Sequence, residues 1–135
     1  MAPLSVAHDS TTQLVLQTID AYERSAKECV ARWSKRRHRR PPLLVKWLKC
    51  LPVGASLLDL GCGGGWDADD LAQRGYRVVG VDRTSALLVA GRRRYPSLPL
   101  IRADLRHLPF QPMSFDGLWA AASLMHLPKP DARRS

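Results

Sequence analysis

Ser56-Leu57-Leu58-Asp59-Leu60 runs straight into Gly61-Cys62-Gly63-Gly64-Gly65, and no other feature restricts the fold of this chain as tightly. The run is apolar almost throughout rather than alternating, which suits a strand buried on both faces of a parallel sheet. A strand that ends in Gly-x-Gly and opens a helix lets backbone N–H groups and the helix N-terminus approach a polar ligand closely. Asp67 to Arg74 reads as that helix, with Gly75 as its left-handed stop. Arg77-Val78-Val79-Gly80-Val81 reads as a second strand that ends at Asp82. Thr84 is placed to cap a further helix running to about Arg94, where Tyr95-Pro96 breaks it. Leu98 to Ala103 is a third strand ending at Asp104, and Phe115 to Ala121, after the Pro109/Pro112 loop, is a fourth. Strands alternating with helices at this spacing indicate an α/β domain built on a doubly wound parallel sheet.

Two helices are expected ahead of that core. Behind a cap at Thr11 or Thr12, Val15, Ile19, Tyr22, Ala26, Val30 and Trp33 recur at steps of three and four, one face of a helix. Pro41-Pro42 opens the second, marked by Leu43, Leu44, Trp47, Leu48 and Leu51 and ended by Pro52 and Gly54. The expected organisation is a flexible terminus over 1–10, helices with a basic segment over 11–54, and the α/β core over 55–135.

Composition narrows the setting. A chain of 135 residues is about one domain, and 45% hydrophobic with 24% charged residues is an ordinary globular balance. No window approaches the roughly 18 apolar residues of a membrane span, and residues 1–10 carry no secretory apolar core. Cys29, Cys50 and Cys62 are odd in number and unpatterned, which speaks against a disulfide scaffold or a metal site and for a reducing, cytoplasmic setting. The net charge of +9 has one origin: residues 24–49 hold ten basic side chains against Glu28, and the basic and acidic residues elsewhere cancel. Its densest part contains Lys35, Arg36, Arg37, Arg39 and Arg40. Such a run is a solvated linker, a phosphate-binding surface for nucleic acid with salt-dependent affinity, or a guide for an acidic surface. It lacks interleaved aromatics, so stacking of single-stranded bases is not supported.

Two ligand classes use a glycine loop after a first strand. Dinucleotide enzymes require Gly-x-Gly-x-x-Gly, whose third glycine lets the helix touch the strand. Gly61 and Gly63 fit, but the third position is Trp66, and an indole cannot stand where a hydrogen is needed.

Asp59-Leu60-Gly61-Cys62-Gly63-Gly64-Gly65 resembles instead the D-x-G-x-G-x-G motif of class I S-adenosylmethionine-dependent methyltransferases. Three later segments resemble that family in order and spacing. They are Val78-Val79-Gly80-Val81-Asp82, Ala103-Asp104-Leu105 with Leu108-Pro109-Phe110, and Ser114-Phe115-Asp116-Gly117-Leu118-Trp119 with Ser123-Leu124-Met125-His126-Leu127-Pro128. Tyr22-Glu23-Arg24-Ser25-Ala26 resembles the helix before the core in small bacterial members, although Cys29 stands where a second aromatic is common.

The resemblance implies a cofactor, S-adenosylmethionine, and a role for each matching residue. Gly61, Gly63 and Gly65 belong to the loop that admits its methionine part, and Asp59 would hold the ammonium through water. Asp82 would accept the ribose hydroxyls, with Arg83 beside the adenine. Asp104 would accept the adenine amino group, and the Leu105 backbone would meet a ring nitrogen. Ala120 would pass near the sulfonium, and Tyr22 would cover the methionine end. The residues also allow plainer readings: a structural strand–helix turn at Gly61 and Gly63, capping by Asp82 and Asp104, packing by Tyr22 and Cys62. Methyl transfer from a sulfonium relies mainly on alignment, and a base is needed only if the acceptor must lose a proton. His126 is the one candidate for such a base, and its plainer reading is a histidine that holds its loop in place.

The family's sheet has seven strands, and this chain carries four, expected in the order 3-2-1-4. The fourth would then be an apolar edge, open to a second copy or a complementing chain. The expected function is a methyltransferase cofactor domain, truncated after the fourth strand and acting on a small-molecule acceptor. The alternative is a non-catalytic fragment whose basic segment binds nucleic acid or a partner chain.

Overall fold

A computed structural model describes residues 5–35 and 42–121. The elements, in chain order, are α1 (Ser5–Arg24), α2 (Ala26–Lys35), α3 (Pro42–Leu48), β1 (Ser56–Leu60), α4 (Trp66–Gln73), β2 (Arg77–Asp82), α5 (Ser85–Arg94), β3 (Leu100–Arg102) and β4 (Gly117–Trp119). Every strand pair is parallel, in the order β3-β2-β1-β4. That is the expected α/β, Rossmann-like arrangement, with β1 at its centre.

The local reasons are visible in the sequence. Alternation along β1 sends Leu57 to one face and Leu58 and Leu60 to the other. Leu57 joins Leu44 and Leu48 of α3, Ala68 and Leu71 of α4, and Val78 of β2 in one cluster. Leu58 and Leu60 pack with Val81 beneath Leu105, Leu108, Phe110 and Phe115 of the long connection to β4. Pro42 opens α3, where its missing N–H costs nothing. Gly75, at φ 93°, ends α4 in the left-handed conformation.

Several boundaries differ from the sequence-based expectation. α1 begins at Ser5, ahead of Thr11 and Thr12, because residues 5–10 contain neither glycine nor proline to stop it. The expected single N-terminal helix is divided at Ser25, whose Oγ donates to the Ala21 carbonyl at 2.8 Å alongside its own backbone N–H at 3.1 Å. β3 and β4 are each three residues long, shorter than the apolar runs that announced them. Thr84 occupies the N-cap position of α5 but makes no side-chain capping bond. The Glu23 carboxylate on α1 does so instead, accepting the N–H groups of Ser85 at 2.7 Å and Ala86 at 2.8 Å. Among the described residues no helix is long and apolar enough to cross a membrane.

Candidate functional site

The glycine loop turns through positive φ at Gly61 (70°), Gly63 (56°) and Gly65 (85°), a path that side-chain-bearing residues rarely follow. Gly63 also has no room: a Cβ there would lie 2.6 Å from the Trp66 indole. Trp66 is the first residue of α4 and stacks on Trp33 of α2, with ring centroids 5.8 Å apart and planes 11° from parallel. The indole that breaks the dinucleotide pattern thus lies along the loop, facing α2. Close approach is supplied elsewhere, by Gly91 of α5, where a Cβ would sit 2.4 Å from the Gly64 carbonyl oxygen.

Loop, sheet ends and N-terminal helices enclose a cavity of about 200 Å³. Its floor is Gly61, Gly63, Asp82, Arg83, Thr84, Asp104 and Leu105, at the C-terminal ends of β1, β2 and β3, with Ala121 beyond β4. The two neighbours of β1, β2 and β4, are reached by chain running to opposite sides. This is the switch point at which open α/β sheets bind ligands. α1 and α2 form the roof through Val15, Thr18, Ile19, Tyr22, Cys29 and Trp33.

Asp82 links floor and loop. One carboxylate oxygen accepts the Gly63 N–H at 2.9 Å and the other accepts the Thr84 N–H at 2.7 Å. Tyr22 hangs from the roof, and burial, followed by the nearby Cys29 and Asp82, raises its hydroxyl above the usual value of 10. Cys62 is buried in the loop, and desolvation followed by the charges of Asp59 and Asp82 pushes its thiol well up, so it is held as a neutral packing group.

Of the residues singled out in the sequence, the fold brings Tyr22, Gly61, Gly63, Asp82, Arg83, Asp104 and Leu105 to one cavity. Asp59, Gly65 and Ala120 stand behind it. Asp59 is 2% exposed within β1. Gly65 packs against Leu100, which would lie 3.1 Å from a Cβ there. Ala120 joins the cluster around Leu58, and the next residue, Ala121, reaches the cavity. His126 and residues 36–40 lie outside the described residues.

Asp104 departs from its expected freedom to accept. Arg106 holds it through both its backbone N–H and its guanidinium, and Arg83 Nη1 stands 3.1 Å away. The hydrogen bond from the Arg106 side chain is the largest influence that lowers the Asp104 carboxyl to about 2, against an opposing push from burial. Sequence reasoning missed Glu23, Gly91 and Arg106. Gly91 carried a signal, as a lone glycine inside a helical pattern, and Glu23 lay within the segment that resembles the helix before the core.

Residues 57–135 match the family model described as a methyltransferase domain. The chain is 36% identical over 106 residues to a ubiquinone biosynthesis O-methyltransferase of Albidiferax ferrireducens, covering 69% of this chain and 40% of that one. It is 37% identical over 83 residues to an 18S rRNA (guanine-N(7))-methyltransferase of Mus musculus, covering 59% and 30%. Among solved structures, an S-adenosylmethionine-dependent methyltransferase of Mesorhizobium loti superposes with a TM-score of 0.55 at 28% identity, covering 64% and 42%. The chain therefore spans less than half the length of each of these relatives.

Proposed function

Because the chain belongs to the class I S-adenosylmethionine-dependent methyltransferases, we propose that its cavity binds that cofactor and presents the methyl group to a small-molecule acceptor. S-adenosylmethionine is the cofactor of this family. One observation carries the placement: Asp82, at the end of β2, is hydrogen-bonded to the loop that ends β1. Each Asp82 oxygen takes one backbone N–H, and a carboxylate has about four acceptor positions, so two remain for a ribose diol. The Gly63 cradle fits as well, since a Cβ there would close the space against Trp66.

When bound, the cofactor supplies a methyl group already activated on a sulfonium. The chain's own part is to bind and align. Gly61 and Gly63 admit the methionine part to the backbone, with Asp59 beneath them and Gly65 holding the turn against β3. Tyr22 covers that end, Ala121 and its neighbour Ala120 border the reacting region, and Arg83 and Leu105 flank the base. Holding two reactants in line supplies much of the rate for such a displacement. His126 is the residue to test for proton removal from an acidic acceptor.

Calorimetry with S-adenosylmethionine and S-adenosyl-L-homocysteine tests this reading. Micromolar binding of both to wild type and its loss in Asp82→Ala are expected; a folded protein that binds neither would sink it.

A second reading concerns partners. The ten basic residues of 24–49 favour a phosphate-bearing partner, and one relative acts on rRNA. It predicts RNA affinity that falls steeply with salt and disappears when Lys35, Arg36, Arg37, Arg39 and Arg40 are replaced by glutamine. Salt-independent binding would exclude it. The β4 edge, with Leu118 55% exposed, is the corresponding candidate surface for a second copy or complementing chain.

A further inference from the structure

We propose that Arg106 is a specificity-determining residue that limits what this site gains from the exocyclic amino group of the cofactor's purine, by occupying the acceptor positions of Asp104. The inference rests on the cofactor reading above and concerns one end of that cavity.

The Asp104 carboxylate is engaged on both oxygens. An ionised carboxylate offers about four acceptor positions. The Arg106 backbone N–H donates to Oδ1 at 3.0 Å, and Nε lies 3.0 Å from Oδ1 and 3.2 Å from Oδ2. Nη2 donates to Oδ2 at 2.7 Å, so Arg106 brings three N–H groups to the carboxylate, the Nε one shared between its two oxygens. Arg83 adds a second cation, its Nη1 3.1 Å from the same Oδ2. A purine amino group arriving at Asp104 would have to displace a guanidinium.

The competition is unequal. Arg106 offers a charged, forked donor together with its own main chain, only two residues along from Asp104, so its hold needs little ordering of distant parts. An amino group brings one neutral N–H. Asp104 and Leu105 both line the cavity, so the base is left to the backbone at Leu105 and to the shape of the walls. Asp104 then serves chiefly to fix the two arginines beside it.

The test compares two ligands on one calorimeter: S-adenosyl-L-homocysteine and its analogue with hydrogen in place of the 6-amino group. This pair keeps every ring nitrogen in place and removes the disputed donor. Wild type is expected to bind the two within about threefold, because the carboxylate that could reward the amino group with roughly tenfold or more is already taken. In Arg106→Leu the ratio should widen towards that roughly tenfold level, through tighter binding of the amino-bearing ligand. Arg106→Gln, which keeps the backbone donor and a neutral side-chain donor, should fall between. Thermal melts identify which variants are folded, and either one suffices. A ratio that widens in neither variant, or a wild-type ratio already as large as theirs, overturns the proposal while leaving cofactor binding intact. Failure of wild type to bind either ligand overturns both readings.

Discussion

The Glu23 carboxylate accepts the backbone N–H of Ser85 at 2.7 Å across 62 positions of sequence. Its second oxygen takes the next N–H, of Ala86. Glu23 sits one residue beyond Tyr22 in the cavity roof, and Ser85 follows the floor residues Asp82, Arg83 and Thr84. A negative charge at a helix N-terminus is favourable in itself, and here it also sets the distance between roof and floor.

Replacing Glu23 with alanine should cost about 1 kcal/mol of stability, the usual value of a lost N-cap, read as a lower urea midpoint. Cofactor affinity should fall as well, because the roof loses its tie to the floor. Glu23→Asp, too short to reach both N–H groups, should show the same direction. A variant of unchanged stability and affinity would show that α1 is held by its apolar contacts alone.

Gly91→Ala tests the close contact between α5 and the glycine loop. The added methyl group would meet the Gly64 carbonyl oxygen at 2.4 Å, and backbone cannot yield as a side chain does. Overpacking of this kind costs about 1–3 kcal/mol, although alanine is the better helix former. A stabilised variant in chemical denaturation would contradict the packing described.

Asp82→Asn retains one oxygen acceptor and turns the other toward donation. The Gly63 and Thr84 N–H groups can no longer both be satisfied. S-adenosyl-L-homocysteine affinity should drop by roughly tenfold or more, in line with a lost hydrogen bond to a charged acceptor. Titration calorimetry decides it, and equal affinity would remove Asp82 from the site.

Acid unfolding should report on Asp104. Its carboxyl is lowered to about 2 in the folded chain, against an ordinary value of 3.8. A depressed folded value means stability that is fully present above pH 3.8 and lost as the pH falls through about 2. Arg106→Gln should therefore destabilise the protein at pH 7 and lose that difference near pH 2. A penalty that is the same at both pH values would place the Arg106 contribution in packing rather than charge.

Much of this fold was legible because its determinants are local. The apolar run from Ser56 to Leu60, the glycines after it, Asp82 at the end of β2 and Asp104 two residues past β3 lie at fixed short spacings, and the fold gathers Gly61, Gly63, Asp82 and Asp104 around one cavity. What escaped is what chain distance hides. Thr84 had the right chemistry for a cap, but nothing local showed that Glu23 would arrive first. The Asp104 carboxylate looked available because a basic neighbour two residues on has no fixed direction in a sequence. Ala120 and Ala121 both follow β4, which stops at Trp119, so the strand's alternation does not carry on to show which of them faces the cavity.

The order in which the cavity walls occur along the chain bears on how a ligand enters and leaves. β1, β2 and β3 pair with their sequence neighbours through crossovers of one helix each, so the floor can assemble from adjacent segments. The roof must close back across a far longer stretch and is pinned at Ser85 and Ala86, and longer loops carry a larger closure entropy. Segments held this way open locally at lower free energy than a central strand. Amide protons of α1 should accordingly exchange with solvent well before those of Leu57 and Leu58, and ligand turnover would then follow the breathing of two helices over a sheet that stays folded.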